Sequence, residues 1–526
     1  MKKITRIMAV LLAFSMILGV AGCGKTGKSS DSNDGRTTFR IVTVRNDSSI
    51  PTDFLEEGIM KQLEDKFDIN IEWEVYSVND WATEKNLMFA SPDDLPDAFL
   101  GSLAIASGDI ESYSDQFVEL TDLIAEHMPN LSKILEEDGE LKAVMTNREG
   151  EIYGLGKRLP FRPASANVPF INKKWLDNLG LEIPTTYKEL EAVLQAFKDK
   201  DADGDGDPNN EIPYSYCGSL NMDARHILAP FGTIVSRQGN YMGMDINGEP
   251  FYLPITENYK EAVKWMHNLY KKGLIDQEHF TQNSSMLTAK IQASGGSQVG
   301  YIFGWTPEAA AGVNADEFVP MVAVSGPDGN RYVESDPSYL DISGTEFVIT
   351  KNCENPEVLL QWADEFYTDL VGVQSYYGTI GEQIQDNGDG TYTLLSPEGD
   401  NSYDYTAWAY SLRDYGPKYV SKEFQEKFTL PTDGGDGLKL ATDVNAEYAI
   451  ATFPIVKYTE EQASKVGMYS TNLTSYVESK YADWVVNGGV DEEWDEYIKT
   501  LEQMGVHDMI KLTLEAYDYY LEQRAE

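Results

Sequence analysis

Hydrophobic and polar positions along this chain alternate with two periods. Residues 39–44 (FRIVTV) are a strand candidate, and a polar helix is expected over about 55–67. In INIEWEV, Ile69, Ile71, Trp73 and Val75 fall at every second position. That period predicts a strand with one buried face. A second helix is expected over about 80–90. The segment LPDAFLG then closes on an apolar run suited to a third, buried strand. Strands alternating with helices predict an α/β fold with a mostly parallel sheet covered on both faces.

The same grammar returns further on with different words. Thr186 opens TYKE, a capping box, and Leu190, Val193, Leu194 and Phe197 then mark one face of a helix. NYKEAVKWMHNLYKKG places Ala262, Met266, Leu269 and Tyr270 on one side and stops at two lysines and Gly273. VGYIFGW (299–305) predicts a strand ending in an aromatic. NPEVLLQWADEFY offers Asn355 as N-cap and Pro356 at the first helical position, with Leu359, Trp362, Ala363 and Phe366 facing inward. The last segment, about 491–521, reads as helical and rich in aromatics. No short repeat and no long linker interrupts the chain, so its domains are expected to be interleaved.

Length and charge narrow the class. A chain of 526 residues suits two or three domains, and 42% hydrophobic content supplies large cores. A net charge of −44 repels nucleic acid and anionic lipid. At the N-terminus, Lys2, Lys3 and Arg6 precede IMAVLLAFSMILG and then VAGC, the layout of a secretory signal peptide over residues 1–22. The small residues before Cys23 resemble a bacterial lipobox, which implies cleavage there and a lipid on the Cys23 sulfur. A plain signal peptide with an incidental cysteine is the alternative. Residues 23–37 are Gly/Ser-rich and read as a flexible tether. Cys217 and Cys353 either pair with each other or remain two buried thiols.

One loop carries metal chemistry. In DADGDGDPNNEIP, Asp201, Asp203, Asp205 and Asp207 alternate, with Gly206 at the sharp-turn position and Asn209 at position nine. This is the spacing of an EF-hand calcium loop, in which position seven contributes its backbone carbonyl. The departure is Glu211, at position eleven rather than twelve. Four close carboxylates repel one another without a cation, which favours a metal. No second such loop accompanies it. DNGDGTY (386–392) reads as a hairpin turn. Signatures of nucleophilic, zinc, redox or P-loop chemistry are absent, and the five histidines form no ligand-spaced cluster.

The lipobox, LMFASPDDLPDAF, INKKWLDNLGLEIPTTYKELEAVLQAFKDKDADGDGDPNNEIPYS, GYIFGWTPEAAAG, ITKNCENPEVLLQWADEFY and YVESKYADWVVNGG follow one another in order. Together they resemble the family 1 extracellular solute-binding lipoproteins of carbohydrate ABC importers. The resemblance implies a periplasmic-binding-protein-like fold of two α/β lobes, with a hinge and a central cleft that closes on a sugar. By analogy the first lobe takes residues 38–162 and 346–385. The second takes 163–345 and most of 386–526. The loop at 201–211 becomes a structural calcium clip, matched by Glu211-Ile212-Pro213. The implied function is capture of an oligosaccharide for an ABC permease, by a monomer anchored on the outer face of a bacterial cell membrane. A secreted lipoprotein glycoside hydrolase and a non-transport adhesion or scaffold lipoprotein are the alternatives. The first draws on the 86 acidic residues, since a hydrolase needs only one suitably spaced pair.

Binding clefts meet sugars with aromatic platforms and polar rims. Trp305 ends a strand, where ligands meet open α/β sheets, and maltose-binding relatives carry a stacking tryptophan at the matching place. Trp81 occupies a similar position between strand and helix. Asn46 and Asp47 follow the first strand and either bond hydroxyls or form a helix-entry turn. Trp408 in YTAWAYSLRDYG is a further candidate. GKRLPFRP brings Lys157, Arg158 and Arg162 together; Arg158 is a candidate for an acidic sugar, with neutralisation of nearby carboxylates the simpler account.

Overall fold

The computed structural model describes residues 35–45, 50–162, 165, 167–217, 220, 224–236, 241–336, 341–397, 403–430 and 444–525. The signal peptide, Cys23, the tether up to residue 34, Asn46 and Asp47 lie outside the described residues.

The chain opens with β1 (Thr37–Arg45), α1 (Gly58–Phe67), β2 (Ile69–Ser77), α2 (Val78–Phe89) and β3 (Ala98–Leu100), as the periodicity predicts. After α3 (Gly139–Met145) and β4 (Leu155–Arg158) it crosses to a second unit. That unit holds β5 (Val168–Asn172), α4 (Tyr187–Asp199), β6 (Ile212–Tyr214), α5 (Glu257–Lys271), β7 (Val299–Gly304), β8 (Phe318–Pro320) and β9 (Val333–Ser335). It returns as β10 (Ile342–Ile349), α6 (Pro356–Asp364) and α7 (Asp369–Tyr377). The two larger sheets among the described residues are ordered β2-β1-β3-β10-β4 and β8-β5-β7-β6.

The sheets are mixed rather than mostly parallel. β1 is parallel to β2 and β3, but β10 runs antiparallel to both β3 and β4. In the second sheet only the β6–β7 pair is parallel. The reason is topological: the returning strand re-enters the first sheet from the other lobe, so no right-handed crossover sets its direction.

Each sheet has its own core. Phe39, Ile41, Leu100, Phe347, Leu359, Trp362 and Phe366 pack around the first. Trp175, Leu194, Phe197, Tyr259, Met266, Tyr481 and Trp484 pack around the second. This is the two-lobed α/β architecture expected from the resemblance. The Thr186 hydroxyl accepts the Glu189 N–H at 3.2 Å, while the Glu189 carboxylate reaches back to Thr185, one residue earlier than a standard box. Asn355 makes no side-chain cap bond; Pro356 alone sets that helix start. Cys217 and Cys353 do not pair in a disulfide; Cys353 is buried and Cys217 half-buried.

Two later segments differ from expectation. Residues 386–397 and 403–430, expected mainly with the second lobe, pack on the first. β11 (Ile384–Asp386) and β12 (Tyr392–Leu394) form the hairpin read from DNGDGTY, and β13 (Phe428–Thr429) adds to it. Phe428 stacks on Tyr377 of α7, 5.6 Å between centroids and 8° apart, and that ring contact fixes the assignment. The C-terminal helical region also starts earlier. Beyond α8 (Tyr403–Tyr410) and β14 (Ala449–Ala451), a 28-residue helix, α9 (Glu460–Asn487), precedes α10 (Val490–Gln503) and α11 (Val506–Ala525). Only six residues of α9 are buried, too thin a stripe to announce a helix of that length. The last of these helices ties the lobes together: Tyr519 donates to the Asn147 carbonyl at 3.1 Å and Tyr520 to Glu140 at 3.3 Å.

Candidate functional site

Parallel β1, β2 and β3 end on one edge of the first sheet, and the segment 408–418 lies across it. Arg45, the last residue of β1, donates to the Trp408 carbonyl at 2.6 Å, and its guanidinium lies 5.2 Å from the Trp408 ring centroid. Burial pulls that guanidinium down to about 10, still charged at neutral pH. Trp408 in turn meets Tyr415, 5.5 Å between centroids. Tyr415 sits so close to Gly101, the residue after β3, that a Cβ there would come within 3.2 Å of it.

A buried carboxylate underpins this edge. Glu346 on β10 is fully sealed. Its Oε1 pairs with the Lys157 ammonium at 2.7 Å, and its Oε2 accepts the N–H groups of Ser102 and Gly416, each at 3.0 Å. Lys157 also donates to the Asp414 carbonyl, and the buried Lys418 to the Tyr415 and Gly416 carbonyls. Burial alone would push the Glu346 carboxyl up. The Lys157 charge and hydrogen bond, and the charge of Lys418, outweigh it and hold the carboxyl below its ordinary value.

The second lobe reaches this edge through Trp305, directly after β7. Arg162, on the crossover between β4 and β5, lies 5.4 Å from the Trp305 ring centroid and 5.6 Å from that of Tyr376 on α7. The same guanidinium is ion-paired with Asp414. Arg413 covers the other part of Tyr376 at 4.0 Å. Arg413 and Phe161 both take left-handed backbone (φ 50° and 58°), an uncommon geometry for side chains of that size, and both flank this cluster. A small apolar cleft adjoins in the second lobe. Its wall includes Phe303, two residues before Trp305, with His226 and Glu334.

Of the residues singled out in the sequence, Trp305 and Trp408 therefore lie in one connected aromatic and cationic cluster between the lobes. Trp81 does not. It is 4% exposed, packs on Tyr76 and Phe99, and spends its indole N–H on the Ala104 carbonyl at 2.9 Å. A tryptophan at the first turn of α2 points down into the sheet, not out over its edge. Arg158 is also withdrawn. It is caged by Asp138, Glu140 and Asp341 at 2.5–3.1 Å, which together overcome the effect of burial and raise its affinity for the proton. Arg45, Tyr376, Arg413 and Tyr415 were missed. The one local signal was an arginine closing a mostly buried strand.

The acidic loop joins α4 to β6. Carboxylate oxygens of Asp201, Asp203 and Asp205 lie within 4.8 Å of one another. Backbone N–H groups of Asp205, Gly206 and Asp207 bond to Asp203, Asp201 and Asp205, and positive φ at Gly204 and Gly206 lets the loop curl around them. The Asp207 carboxylate instead turns to Asn209, accepting its backbone and side-chain N–H groups. Glu211 closes the loop by accepting the Ala202 N–H at 2.7 Å. Its other oxygen, Asp201 Oδ1 and Asn210 Oδ1 are buried without a hydrogen-bond partner. Burial, with the neighbouring carboxylates, pushes Asp203 and Glu211 up. Converging, unsatisfied, hard oxygen donors fit a divalent cation such as calcium.

With two α/β lobes and an aromatic cluster at their strand ends, the chain has the build of a binding protein. It belongs to the bacterial extracellular solute-binding proteins, whose family model matches residues 48–369. Among its relatives, the fructooligosaccharide ABC transporter substrate-binding protein FusA of Streptococcus pneumoniae is 32% identical over 97% of each chain. The structure of FusA with kestose superposes at a TM-score of 0.78, with 29% identity over 92% of this chain and 100% of that one. An EF-hand mutant of FusA with fructo-nystose gives the same TM-score at 28% identity and the same coverage. No helix among the described residues is long and apolar enough to cross a membrane.

Proposed function

We propose that this chain captures an oligosaccharide between its lobes and delivers it, chemically unchanged, to an ABC importer. The observation that carries this reading is the meeting of Trp305 from the second lobe with Arg162, Tyr376 and Asp414 at the strand-end edge of the first. Aromatic faces stack on the C–H faces of a pyranose or furanose ring, and arginines donate to its hydroxyls. A ligand that touches both lobes favours the closed arrangement by its differential affinity. The reading is supported by the family and by a relative named for fructooligosaccharide transport.

Calcium belongs to the same proposal. Asp201, Asp203, Asp205 and Glu211 would hold it by carboxylate oxygens, with Asn209 at position nine and Asp207 by its carbonyl. When bound, it neutralises the loop and fixes the passage from α4 to β6. In this reading the Cys23 sulfur carries the lipid that keeps the monomer at the outer face of the membrane. Calorimetric titration of the soluble chain against a glycan panel tests capture. Saturable binding with intact glycan recovered is the expected result. Shortened glycan would make it a hydrolase, and no binding to any glycan would end the reading.

A further inference from the structure

Arg162 stands on the irregular stretch between β4 and β5, outside any helix or strand. A side chain with so many rotatable bonds keeps one direction only where something grips its guanidinium. Here Asp414 grips it, through an ion pair. The arginine side chain is 7% exposed and the aspartate 29%, so the pair is sheltered from the screening that weakens surface pairs. The gripped guanidinium lies between two rings, Tyr376 of the first lobe at 5.6 Å and Trp305 of the second at 5.4 Å.

Asp414 is itself built in. Its carbonyl accepts from the Lys157 ammonium, which is paired at 2.7 Å with the sealed Glu346. Two residues on, Gly416 donates to the same carboxylate at 3.0 Å. Arg413, the residue before, covers Tyr376 from 4.0 Å. The chain on both sides of Asp414 is thus fastened to the first lobe, and its side chain reaches out to the crossover. Contacts between a cation and a ring tolerate many placements, whereas a hydrogen bond to a carboxylate fixes the direction of an N–H. The carboxylate therefore sets how the guanidinium meets the Trp305 face.

We propose that Asp414 is a positioning residue, acting through Arg162: it aims the guanidinium so that a sugar stacked on Trp305 meets its donors. This rests on the reading of the cleft as an oligosaccharide site, and adds the group that sets the geometry across the lobe junction. The ion pair then serves affinity more than stability.

The first test needs no glycan. The soluble chain is labelled with 5-fluorotryptophan, and Trp305→Phe assigns the Trp305 fluorine line among the nine tryptophans. Asp414→Asn keeps the size and removes the charge. It should move that line in the direction that Arg162→Met moves it, and Asp414→Glu should return it towards the parent position. Calorimetry then uses a glycan panel that includes kestose, maltotriose, xylotriose and trigalacturonate, and its tightest binder is carried to the variants. Asp414→Asn should bind that glycan roughly tenfold more weakly, the scale of one charge-assisted hydrogen bond, with Asp414→Glu recovering part of the loss. In an Arg162→Met background Asp414→Asn should add nothing, because no guanidinium is left to aim. Thermal unfolding reports whether each variant folds, and Asp414→Ser repeats the test if the asparagine variant does not. A Trp305 line unmoved by the loss of the carboxylate, an unchanged affinity, or an equal further loss in the Arg162→Met background would overturn the proposal and leave oligosaccharide capture standing. Absence of binding to any glycan would overturn both.

Discussion

Replacing Glu346 with glutamine tests how the cleft wall is held. The substitution is nearly isosteric, and the two carboxylate oxygens have separate duties. Oε2 accepts the Ser102 and Gly416 N–H groups, and a glutamine carbonyl there keeps both bonds. The amide nitrogen must then take the place of Oε1, a donor facing the Lys157 ammonium at 2.7 Å. The gross attraction lost is about 6 kcal/mol at an effective dielectric near 20. Relief of Glu346 desolvation returns part of this, but Lys157 and the sealed Lys418 are left without their shared counter-charge. Breaking a buried pair from one side costs about 3–5 kcal/mol, and the variant should lose that much in denaturant unfolding of the first lobe. Removing the cation as well should return most of it, so Glu346→Gln with Lys157→Met should be closer to the parent than Glu346→Gln alone. Affinity should fall along with stability in the single variant, because Gly416 and Tyr415 ride on this carboxylate. A loss below about 1 kcal/mol, or a double variant worse than the sum of the singles, would refute the role assigned to the buried charge.

The two tryptophans should separate cleanly. Trp81→Ala removes a core ring and should cost about 3–5 kcal/mol of stability with little change in the intrinsic affinity of the folded fraction. Trp305→Ala should fold normally and bind roughly ten- to hundredfold more weakly by calorimetry, the loss of about 1.5–3 kcal/mol of stacking and apolar contact. Chelation should lower the melting temperature of the parent, by a stabilisation of about 2.7 kcal/mol when calcium stands at a hundred times its dissociation constant. Asp203→Asn should melt at one temperature with or without chelator. Acid should weaken the second lobe through His279, whose ring is sealed among Tyr216, Tyr270 and Phe280 and whose Nδ1 bonds to the Asp276 carbonyl. Burial holds its proton affinity below the ordinary 6.5. The unfolded chain therefore takes up a proton that the folded chain refuses. Stability is full above about 6.5 and falls as pH drops below it, and His279→Phe should flatten that slope in melts between pH 7 and 5.

Much of the fold was written locally. The alternation at Ile69–Val75, the Thr186 cap and the Leu190–Phe197 stripe each act within a few residues, and each element formed where periodicity put it, although of the alternating face only Ile69 is buried and Val75 is 41% exposed. The acidic loop is equally local, since six of its backbone and side-chain bonds join residues two to five apart. Trp305 follows a strand end, a topological position that sequence order reveals. Trp81 occupied a similar position yet turned inward, and only packing against Phe99 and Ala104 distinguishes the two.

The sequence alone thus determined β1, β2, β3 and β7, helices α1, α2 and α4 to α6, the loop that gathers three aspartates, and the family. The tertiary structure decided which charges share a cage and which meet aromatic rings at the lobe junction. Arg45 meets Trp408 across 363 positions and Arg162 meets Asp414 across 252. No periodicity reaches that far, because such contacts depend on how two separate sheets and their crossovers come to rest against each other. Arg158 and Arg162 are four residues apart in one basic run. One is consumed by carboxylates of its own lobe, and the other stands at the junction with the next.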